Sequence, residues 1–239
     1  MNILVIDVGG THVKLCLSTH WQVKRKFASG PDMTPALMVQ QVQALTTDWQ
    51  IDVITIGYPG VVVGGKPLHE PHNLGAGWVG FDFAAALGHP VKIINDAAMQ
   101  ALGNYHGGKL LFLGLGTGLG SAMIVDGLIE PMELAHLPYK KGKTFEEYIG
   151  VLGLEKRGKK QWRKSVADVI ERLQAALEPD SIVLGGGNAK WLKELPAGVQ
   201  LGDDSAAFWG GIRLWQPAWQ VGQPLIDTLQ VGVPTTAIV

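Results

Sequence analysis

Three glycine-rich turns in the sequence carry the residue types that bind phosphate groups. The first is Gly9-Gly10-Thr11, which follows Asp7 and precedes Lys14. Two glycines let backbone N–H groups approach phosphate oxygens closely, and Thr11 and Lys14 add hydrogen-bond donors. Asp7 ends the preceding apolar run, where a carboxylate can hold Mg²⁺ through water. A plain β-hairpin is the alternative interpretation, because Gly-Gly commonly forms one.

The second turn, Gly116-Thr117-Gly118, lies in a stretch with glycines at alternating positions, as in a dinucleotide fingerprint. The apolar run Ser121 to Val125 that follows predicts a strand instead of a helix, so the helix-dipole mechanism of that fingerprint does not apply. A second phosphate-binding hairpin fits the pattern better. The third turn, Gly185-Gly186-Gly187, lacks the Gly-Lys-Ser/Thr of a P-loop. It offers a surface free of side chains for an adenine or ribose, or it is an ordinary turn from a strand into a helix.

Asn95 and Asp96 directly follow the apolar run Val91 to Ile94. Sheets of α/β proteins present functional groups beyond the carboxyl ends of their strands. A carboxylate placed there can accept a proton from a substrate hydroxyl during phosphoryl transfer. The alternative interpretation is that either residue only caps the following helix.

Three further polar residues are weaker candidates for binding a small polar molecule. Glu133 and His136 are three residues apart and together offer an acceptor and a donor to a polyol. Asn73, between Pro71 and Gly75, is similar. Isolated polar side chains of this kind more often lie on the surface without a ligand.

A basic run precedes and enters a predicted amphipathic helix. Such runs are usually a solvated helix face, but they can also bind a polyanion electrostatically. We expect Trp162 to belong to the core instead of forming a stacking platform. The run places six cations within nine residues: Lys156, Arg157, Lys159, Lys160, Arg163 and Lys164.

The elements that position these residues repeat along the chain. Each half contains three strands, a helix, a strand and a helix, and in each half the first two strands meet at a glycine turn with a threonine. Strands alternating with helices predict a layered α/β fold, and the repetition predicts two similar lobes with a cleft between them. We expect an N-terminal lobe over 1–106, a C-terminal lobe over 107–215 and an extension of unknown role over 216–239.

Composition excludes several classes of protein. The 239 residues carry 20 Lys and Arg against 21 Asp and Glu, a net charge of −1 that argues against a protein coated by nucleic acid or a membrane surface. A single cysteine, Cys16, rules out an intrachain disulfide and a multi-cysteine zinc site. The N-terminus lacks the pattern of a signal peptide, and no apolar stretch reaches the length of a membrane span. We therefore expect a cytoplasmic protein with no nucleic-acid or membrane partner.

Together the motifs resemble the sugar-kinase family called ROK, within the actin-like ATPase superfamily, and more narrowly its polyphosphate glucokinase branch. They occur in the family's order and span most of the chain. The stretches that carry the resemblance are Asp7–Thr11, Gly57–Val62, Ile94–Ala97, Leu115–Ala122, Glu133–Leu137 and Pro179–Gly187.

The resemblance implies two actin-like, ribonuclease H-like lobes, each with a mixed sheet flanked by helices. Asp96 would be the catalytic base toward the 6-hydroxyl of a hexose, and Asn73, Asn95, Glu133 and His136 would bind sugar hydroxyls. The first two glycine turns would hold Mg²⁺ and the donor phosphates, while Gly185–Gly187 would face the nucleotide base. The cysteine cluster that binds zinc in many members is absent, so no zinc is expected. Ala135 replaces a glycine of the family's Glu-x-Gly-His motif, which adds a methyl group close to the predicted sugar site.

The donor stays open at this point. The basic run suits polyphosphate as the phosphoryl donor and the triple glycine suits ATP, and the protein can use both donors.

A homodimer is expected from the resemblance alone. The rivals are a non-catalytic or filament-forming actin-like protein, a kinase for another small metabolite, and a sugar-sensing repressor. The repressor is disfavoured because a strand begins at Ile3 and leaves no room for a preceding helix-turn-helix.

Overall fold

The computed structural model describes residues 1–203 and 205–216. Apart from Gln216, the predicted extension over 216–239 lies outside the described residues. The described chain forms two five-stranded sheets flanked by helices, which confirms the predicted mixed α/β architecture.

The first half of the chain builds the first sheet. In chain order its elements are β1 (Ile3–Val8), β2 (His12–Leu17), β3 (Lys24–Ala28), α1 (Pro35–Leu45), β4 (Val53–Tyr58), β5 (Val62–Val63), β6 (Lys66–Pro67), α2 (Phe83–Leu87), β7 (Val91–Asn95) and α3 (Asp96–Gly103). The strand order is β3-β2-β1-β4-β7, while β5 and β6 pair as a separate hairpin. Strands β1 and β4 are buried along their whole length. This agrees with their nearly continuous apolar sequences, which are typical of strands covered on both faces of a sheet.

The second half builds an equivalent sheet. Its elements are β8 (Lys109–Leu115), β9 (Leu119–Val125), β10 (Leu128–Met132), α4 (Glu146–Ile149), α5 (Val151–Leu177), β11 (Ser181–Gly185), β12 (Val199–Leu201) and α6 (Ala206–Arg213). The order β10-β9-β8-β11-β12 repeats the first sheet position by position. In both sheets two antiparallel pairings are followed by two parallel ones.

Helices α3 and α6 connect the two sheets. Helix α3 packs against β8 and β9 of the second sheet, whereas α6 packs against β1 and β4 of the first. The two helices touch backbone to backbone, because a Cβ at Gly103 would overlap the Ala206 carbonyl and a Cβ at Gly210 would overlap that of Met99. Thr55 of β4 holds α6 against the first sheet, because its hydroxyl donates to the Gly211 carbonyl at 2.7 Å.

Three features differ from the sequence-based expectations. Strand β12 has only three residues and was not predicted. The triple-glycine turn leads into a single 3-10 turn, Ala189–Trp191, instead of the expected helix. Helix α5 begins at Val151, well before the predicted helix, and is interrupted at Gly158, where a φ of 69° suits glycine. Trp162 is fully buried in α5, as predicted.

Candidate active site

The first glycine turn connects β1 to β2 and places Asp7 opposite Lys14. The two residues are register partners, and Lys14 Nζ donates to Asp7 Oδ2 at 3.1 Å. Asp7 is buried, so the exposed ammonium group of Lys14 supplies its counter-charge. Ser29 holds the turn from β3, because its hydroxyl donates to the Gly9 carbonyl at 2.5 Å and its N–H donates to the Thr11 carbonyl at 3.0 Å.

Asn73 lies against this same turn. A Cβ at Gly10 would stand 3.2 Å from the Asn73 Cβ, so glycine lets the Asn73 segment approach the backbone. Asn73 and Thr11 are both exposed. The structure therefore brings Asn73 to the predicted phosphate turn, a contact that its spacing in the sequence did not indicate.

Asn95 and Asp96 stand where β7 ends and α3 begins. Asn95 Oδ1 accepts from the Ala98 N–H at 2.9 Å, which makes Asn95 the N-cap of α3. Its amide donates to the Gly60 carbonyl at 3.0 Å and to Asp96 Oδ1 at 3.3 Å. The Gly57–Val62 motif thus fixes Asn95, while Asp96 is left free of the capping role.

The Asp96 carboxyl has its pKa raised to about 7. Burial contributes most, and the neighbouring Asp7 carboxylate adds to the shift; Glu133 contributes a smaller effect. The Ala97 N–H, which donates to Asp96 Oδ1 at 2.8 Å, acts in the opposite direction. A carboxyl that titrates near neutrality is a stronger proton acceptor than an ordinary aspartate, which suits a general base.

Glu133 and His136 reach this site from the second half of the chain. His136 Nε2 lies 3.5 Å from Glu133 Oε2, and both side chains are more than half exposed. Ser121 of β9 positions the segment, because its hydroxyl donates to the Met132 carbonyl at 2.6 Å and accepts from the Leu134 N–H at 3.2 Å. The two residues on either side of Glu133 are therefore held by one buried hydroxyl.

Ala135 is buried, and the closeness of its methyl group to a bound sugar stays a prediction. It is 3% exposed and packs in the core of the second half beside Leu134. The methyl group therefore fills core space.

The second glycine turn connects β8 to β9 and is backed by a carboxylate. Glu146 Oε2 accepts from the Leu119 N–H at 3.0 Å, and a Cβ at Gly118 would overlap that carboxylate. The turn also carries the start of α5, since Val151 N–H donates to the Thr117 carbonyl at 3.1 Å. The Gly116 N–H is used inside the turn, where it donates to the carbonyls of Gly114 and Gly118.

The third turn follows β11 and is pressed against the second. A Cβ at Gly186 would overlap the backbone of Leu115, and the φ of 82° at Gly186 favours glycine as well. Asn188 ties the two turns together, because its side chain donates to the Gly116 carbonyl at 2.9 Å and its N–H donates to the Leu115 carbonyl at 2.9 Å.

One cavity of about 510 Å³ joins the two halves. Asp7 and Lys14 line it from the first half, and the turn Gly185–Gly187 lines it from the second. Asp96 lies behind Asp7, close enough for the two carboxylates to interact. Of the residues predicted for phosphate, nucleotide and proton transfer, the cavity therefore brings together Asp7, Lys14 and Gly185–Gly187, with Asp96 next to Asp7, whereas the turns Gly9–Thr11 and Gly116–Gly118 do not line it. The cavity is also lined by Gln100, Asn104, Lys190, Asp203 and Phe208.

The sequence model of the ROK family matches residues 3–130, more than half of the chain. The chain belongs to the ROK family.

Named relatives agree with this membership. The chain is 29% identical over 204 residues to the polyphosphate glucokinase of Mycobacterium tuberculosis (strain ATCC 25177 / H37Ra), with 76% of each chain covered. Its fold is similar to that of an inorganic polyphosphate/ATP-glucomannokinase from Arthrobacter sp. strain KM, with a TM-score of 0.77 and 22% identity over 89% of this chain and 97% of the other. Its fold also resembles that of a ROK family glucokinase from Streptomyces griseus, with a TM-score of 0.72 and 15% identity. This match covers 90% of this chain and 99% of the other. These two likenesses establish the fold alone.

Several residues that position the turns of this ROK protein were not predicted from the sequence. Ser29, Ser121 and Asn188 each fix a turn or segment, and Glu146 places a carboxylate behind Gly118. Each is a single polar residue in a loop, at an element end or, for Ser121, inside a strand, and no periodic pattern marks it. Lys190 had a usable signal, because it follows the triple glycine by three residues.

Within residues 1–203 and 205–216, no three His, Cys, Asp or Glu side chains form a group that could hold a metal ion. No helix there is long and apolar enough to cross a membrane. The absence of zinc and the cytoplasmic location stay predictions.

Proposed function

We propose that the protein is a sugar kinase, which transfers the terminal phosphoryl group of ATP, polyphosphate or both to the 6-hydroxyl of glucose or a related hexose. The convergence of Asp7 with Asp96 on one side and with the Gly185–Gly187 turn on the other carries the proposal. The 29% identity to proteins named polyphosphate glucokinases supports it.

Asp96 acts as the general base in this proposal. The sugar hydroxyl attacks the terminal phosphorus, a bond forms between the sugar oxygen and phosphorus, and the bond to the remaining donor phosphate breaks. The hydroxyl proton passes to the Asp96 carboxylate. Because the pKa of Asp96 is raised to about 7, the group is ionised above neutral pH yet basic enough to accept that proton.

The sugar is held by residues from both halves. Asn95 contacts Asp96 directly, and Glu133 and His136 present an acceptor and a donor from the segment that Ser121 fixes. Hydrogen bonds to sugar hydroxyls from side chains held in this way orient the 6-hydroxyl toward the donor. Asn73, which contacts the first glycine turn, completes the set at the boundary between sugar and donor.

The donor phosphates lie along the cavity. Lys14 and Lys190 line it and stabilise the negative charge that builds on the phosphates. N–H groups of Gly10, Thr11, Thr117 and Gly118 add hydrogen bonds, whereas the Gly9 N–H donates to the His12 carbonyl within its own turn. The site fits Mg²⁺, which takes one or two carboxylates with water and substrate phosphates, because the Asp7 carboxylate lines the cavity and can hold the ion through water. When bound, Mg²⁺ would supply further charge neutralisation on the donor phosphates.

The Gly185–Gly187 turn faces the base of a nucleotide when ATP is the donor. Gly187 leaves open space, since no atom lies within 4 Å of the position of a Cβ there. Leu201, Ala207 and Phe208 line the same cavity and provide an apolar wall for an adenine.

That the protein forms a homodimer stays a prediction.

A coupled assay tests the proposal, with glucose, mannose and other hexoses crossed with ATP and polyphosphate as donors. We expect a hexose 6-phosphate with at least one donor, and no product when the sugar is omitted. Absence of a phosphorylated sugar with every combination contradicts the proposal. Sedimentation with ATP, with and without glucose, then tests the filament-forming alternative, which requires assembly that does not depend on sugar.

A further inference from the structure

Helix α5 presents a basic surface that the proposed phosphoryl transfer does not use. Lys156, Lys159, Lys160 and Lys164 are exposed. Within residues 1–203 and 205–216, none of the six cations of the basic run forms a salt bridge. Unpaired lysines on one helix face leave a positive potential that a polyanion can neutralise.

A groove runs beside these lysines. It has a volume of about 520 Å³ and is bounded by Lys160, Arg163 and Lys164 on α5 and by Lys193 on the opposite side. Glu194 is the acidic residue among those that line it. Four cations against one carboxylate make the groove complementary to an anion. Its apolar floor is formed by Val166, Ala167, Ile170, Leu192, Leu195 and Pro196.

Trp191 connects this groove to the donor cavity. Lys159 Nζ lies 3.2 Å from the centroid of the Trp191 ring, and Lys190 Nζ lies 5.3 Å from it. Arg163 Nε donates to the Trp191 carbonyl at 2.5 Å. Because Lys190 also lines the donor cavity, cations continue from the donor cavity around Trp191 to the α5 groove.

We propose that this basic track holds the distal phosphates of a linear polyphosphate while its terminal unit lies in the donor cavity. The basic track comprises Lys159, Lys160, Arg163, Lys164, Lys190 and Lys193. The inference rests on the proposed kinase function and adds a site for the donor chain beyond the reacting phosphate.

The chemistry of the track selects polyphosphate over other anions. Polyphosphate carries negative charge along its whole length, so it can follow cations from the cavity onto α5. ATP ends after three phosphates at a nucleoside and has no charge to place there. Proteins that bind single-stranded nucleic acid combine cations with aromatic faces on which the bases stack, and here the Trp191 ring is covered by Lys159.

The basic track contributes to donor binding and takes no part in the phosphoryl transfer itself. It raises the affinity for a long chain and lets a shortened chain stay bound between transfers. Removal of its charges should therefore raise KM for long-chain polyphosphate and leave kcat unchanged. Screening by salt should weaken the same interaction.

The test compares Lys160→Gln, Lys164→Gln and the double variant with Lys66→Gln, an exposed lysine on β6 in the other half. Initial rates are measured with long-chain polyphosphate, tripolyphosphate and ATP. We expect KM for long-chain polyphosphate to rise roughly two- to fivefold per lysine and about tenfold in the double variant. KM for tripolyphosphate and for ATP should stay within twofold, and Lys66→Gln should match the unmodified protein with every donor.

An unchanged KM for long-chain polyphosphate in the double variant overturns the inference, as does an equal rise for all three donors. Binding of long-chain polyphosphate without sugar, measured by calorimetry, separates this failure from failure of the proposed function. If no donor phosphorylates a sugar, the kinase proposal fails, and weaker binding by the double variant still supports the track. If the unmodified protein and the double variant bind the polymer equally, the track itself is refuted.

Discussion

The two hairpin turns, Gly9–Thr11 and Gly116–Gly118, occupy the same position in two sheets of identical strand order, yet different charged groups stand beside them. Lys14 stands beside the first turn and pairs with Asp7. Glu146 stands behind the second turn and accepts from the Leu119 N–H. The repeated fold gives both turns the same backbone position, whereas the charged residues beside each turn come from positions that do not correspond in the two halves.

This difference assigns the turns different tasks in the proposed site. The first turn has a cation at hand and lies beside both Asp7 and Asp96, so it suits the reacting end of the donor. The second turn is pressed against the third by Gly186 and Asn188, so it acts as the wall on which the rest of the donor rests.

The largest effect should come from Asp96, whose carboxyl interacts with that of Asp7 beside the first turn. Asp96→Asn removes the proton acceptor, and we expect turnover to fall about 10²–10⁴-fold, the usual contribution of a general base. Donor affinity should be retained, because neither turn is altered. Steady-state rates and donor binding by calorimetry measure the two quantities. Turnover close to normal in this variant is incompatible with the assignment of Asp96.

The thermal stability of the same variant serves as its control. A folded-state pKa of about 7, above the unfolded value, means that wild-type stability falls as pH rises from about 4 to 7 and stays lower above 7. Asparagine lacks this ionisation, so Asp96→Asn should melt at a higher temperature than the wild type at pH 8. The difference should shrink at pH 5. A lower melting temperature of the variant than of the wild type at pH 8 would show that folding does not raise the pKa of Asp96.

Gly186→Ala should break the contact between the second and third turns. The added Cβ overlaps the Leu115 backbone and takes a left-handed φ, so we expect a loss of at least about 2 kcal/mol in the free energy of unfolding and a higher KM for ATP. For the unfolding free energy, Gly187→Ala is the matched control, because open space surrounds its Cβ position. Urea unfolding compares the two variants, and donor titration gives the KM of Gly186→Ala. Equal effects at both positions argue against the contact as the cause.

Two charge variants should shift donor affinity in opposite directions. Lys14→Met removes a cation from the cavity wall and should raise the donor KM about tenfold. Glu146→Gln keeps an acceptor for the Leu119 N–H but removes the negative charge, and it should lower the donor KM by about two- to threefold. Initial rates at varied donor concentration give both values. Changes of the same sign would show that the two turns do not differ in charge toward the donor.

The smallest effects should come from the side chains that pin the turn carbonyls. Ser29→Ala removes the donor to the Gly9 carbonyl, and Asn188→Ala removes the donor to the Gly116 carbonyl. Each should cost about 1 kcal/mol in unfolding free energy, as expected for one hydrogen bond. Chemical denaturation of the two variants side by side measures the costs. A loss near zero at one turn only would show that this turn is held by its own backbone.

The sequence predicted much of the framework because local chemistry specifies it. The β-branched run Ile3 to Val8 ended by two glycines predicts a buried strand and a turn, and the structure has both. Asn95 at the end of a strand predicts an N-cap, which its contact with the Ala98 N–H confirms. Trp162 on an apolar helix face predicts core burial.

The remaining features depend on contacts between residues distant in the chain. Glu146 meets Leu119 across 27 residues and Ser29 meets Gly9 across 20, and a single polar residue in a loop does not indicate its partner. Strand β12 is too short to show a pattern of alternation. Ala135 lies in a 3-10 turn between the exposed Glu133 and His136 and is itself buried, which the motif alone did not indicate.

The pH dependence of kcat/KM for hexose phosphorylation tests most directly whether Asp96 is the catalytic base beside the first turn. Since only the ionised carboxyl accepts a proton, kcat/KM should be level above a pKa of about 7 and fall tenfold per pH unit below it. The residual activity of Asp96→Asn, measured with the same donor, should lack this decline and so corrects for titration of the donor phosphates. A wild-type profile that stays level to pH 5, or the same decline in both proteins, would contradict the account.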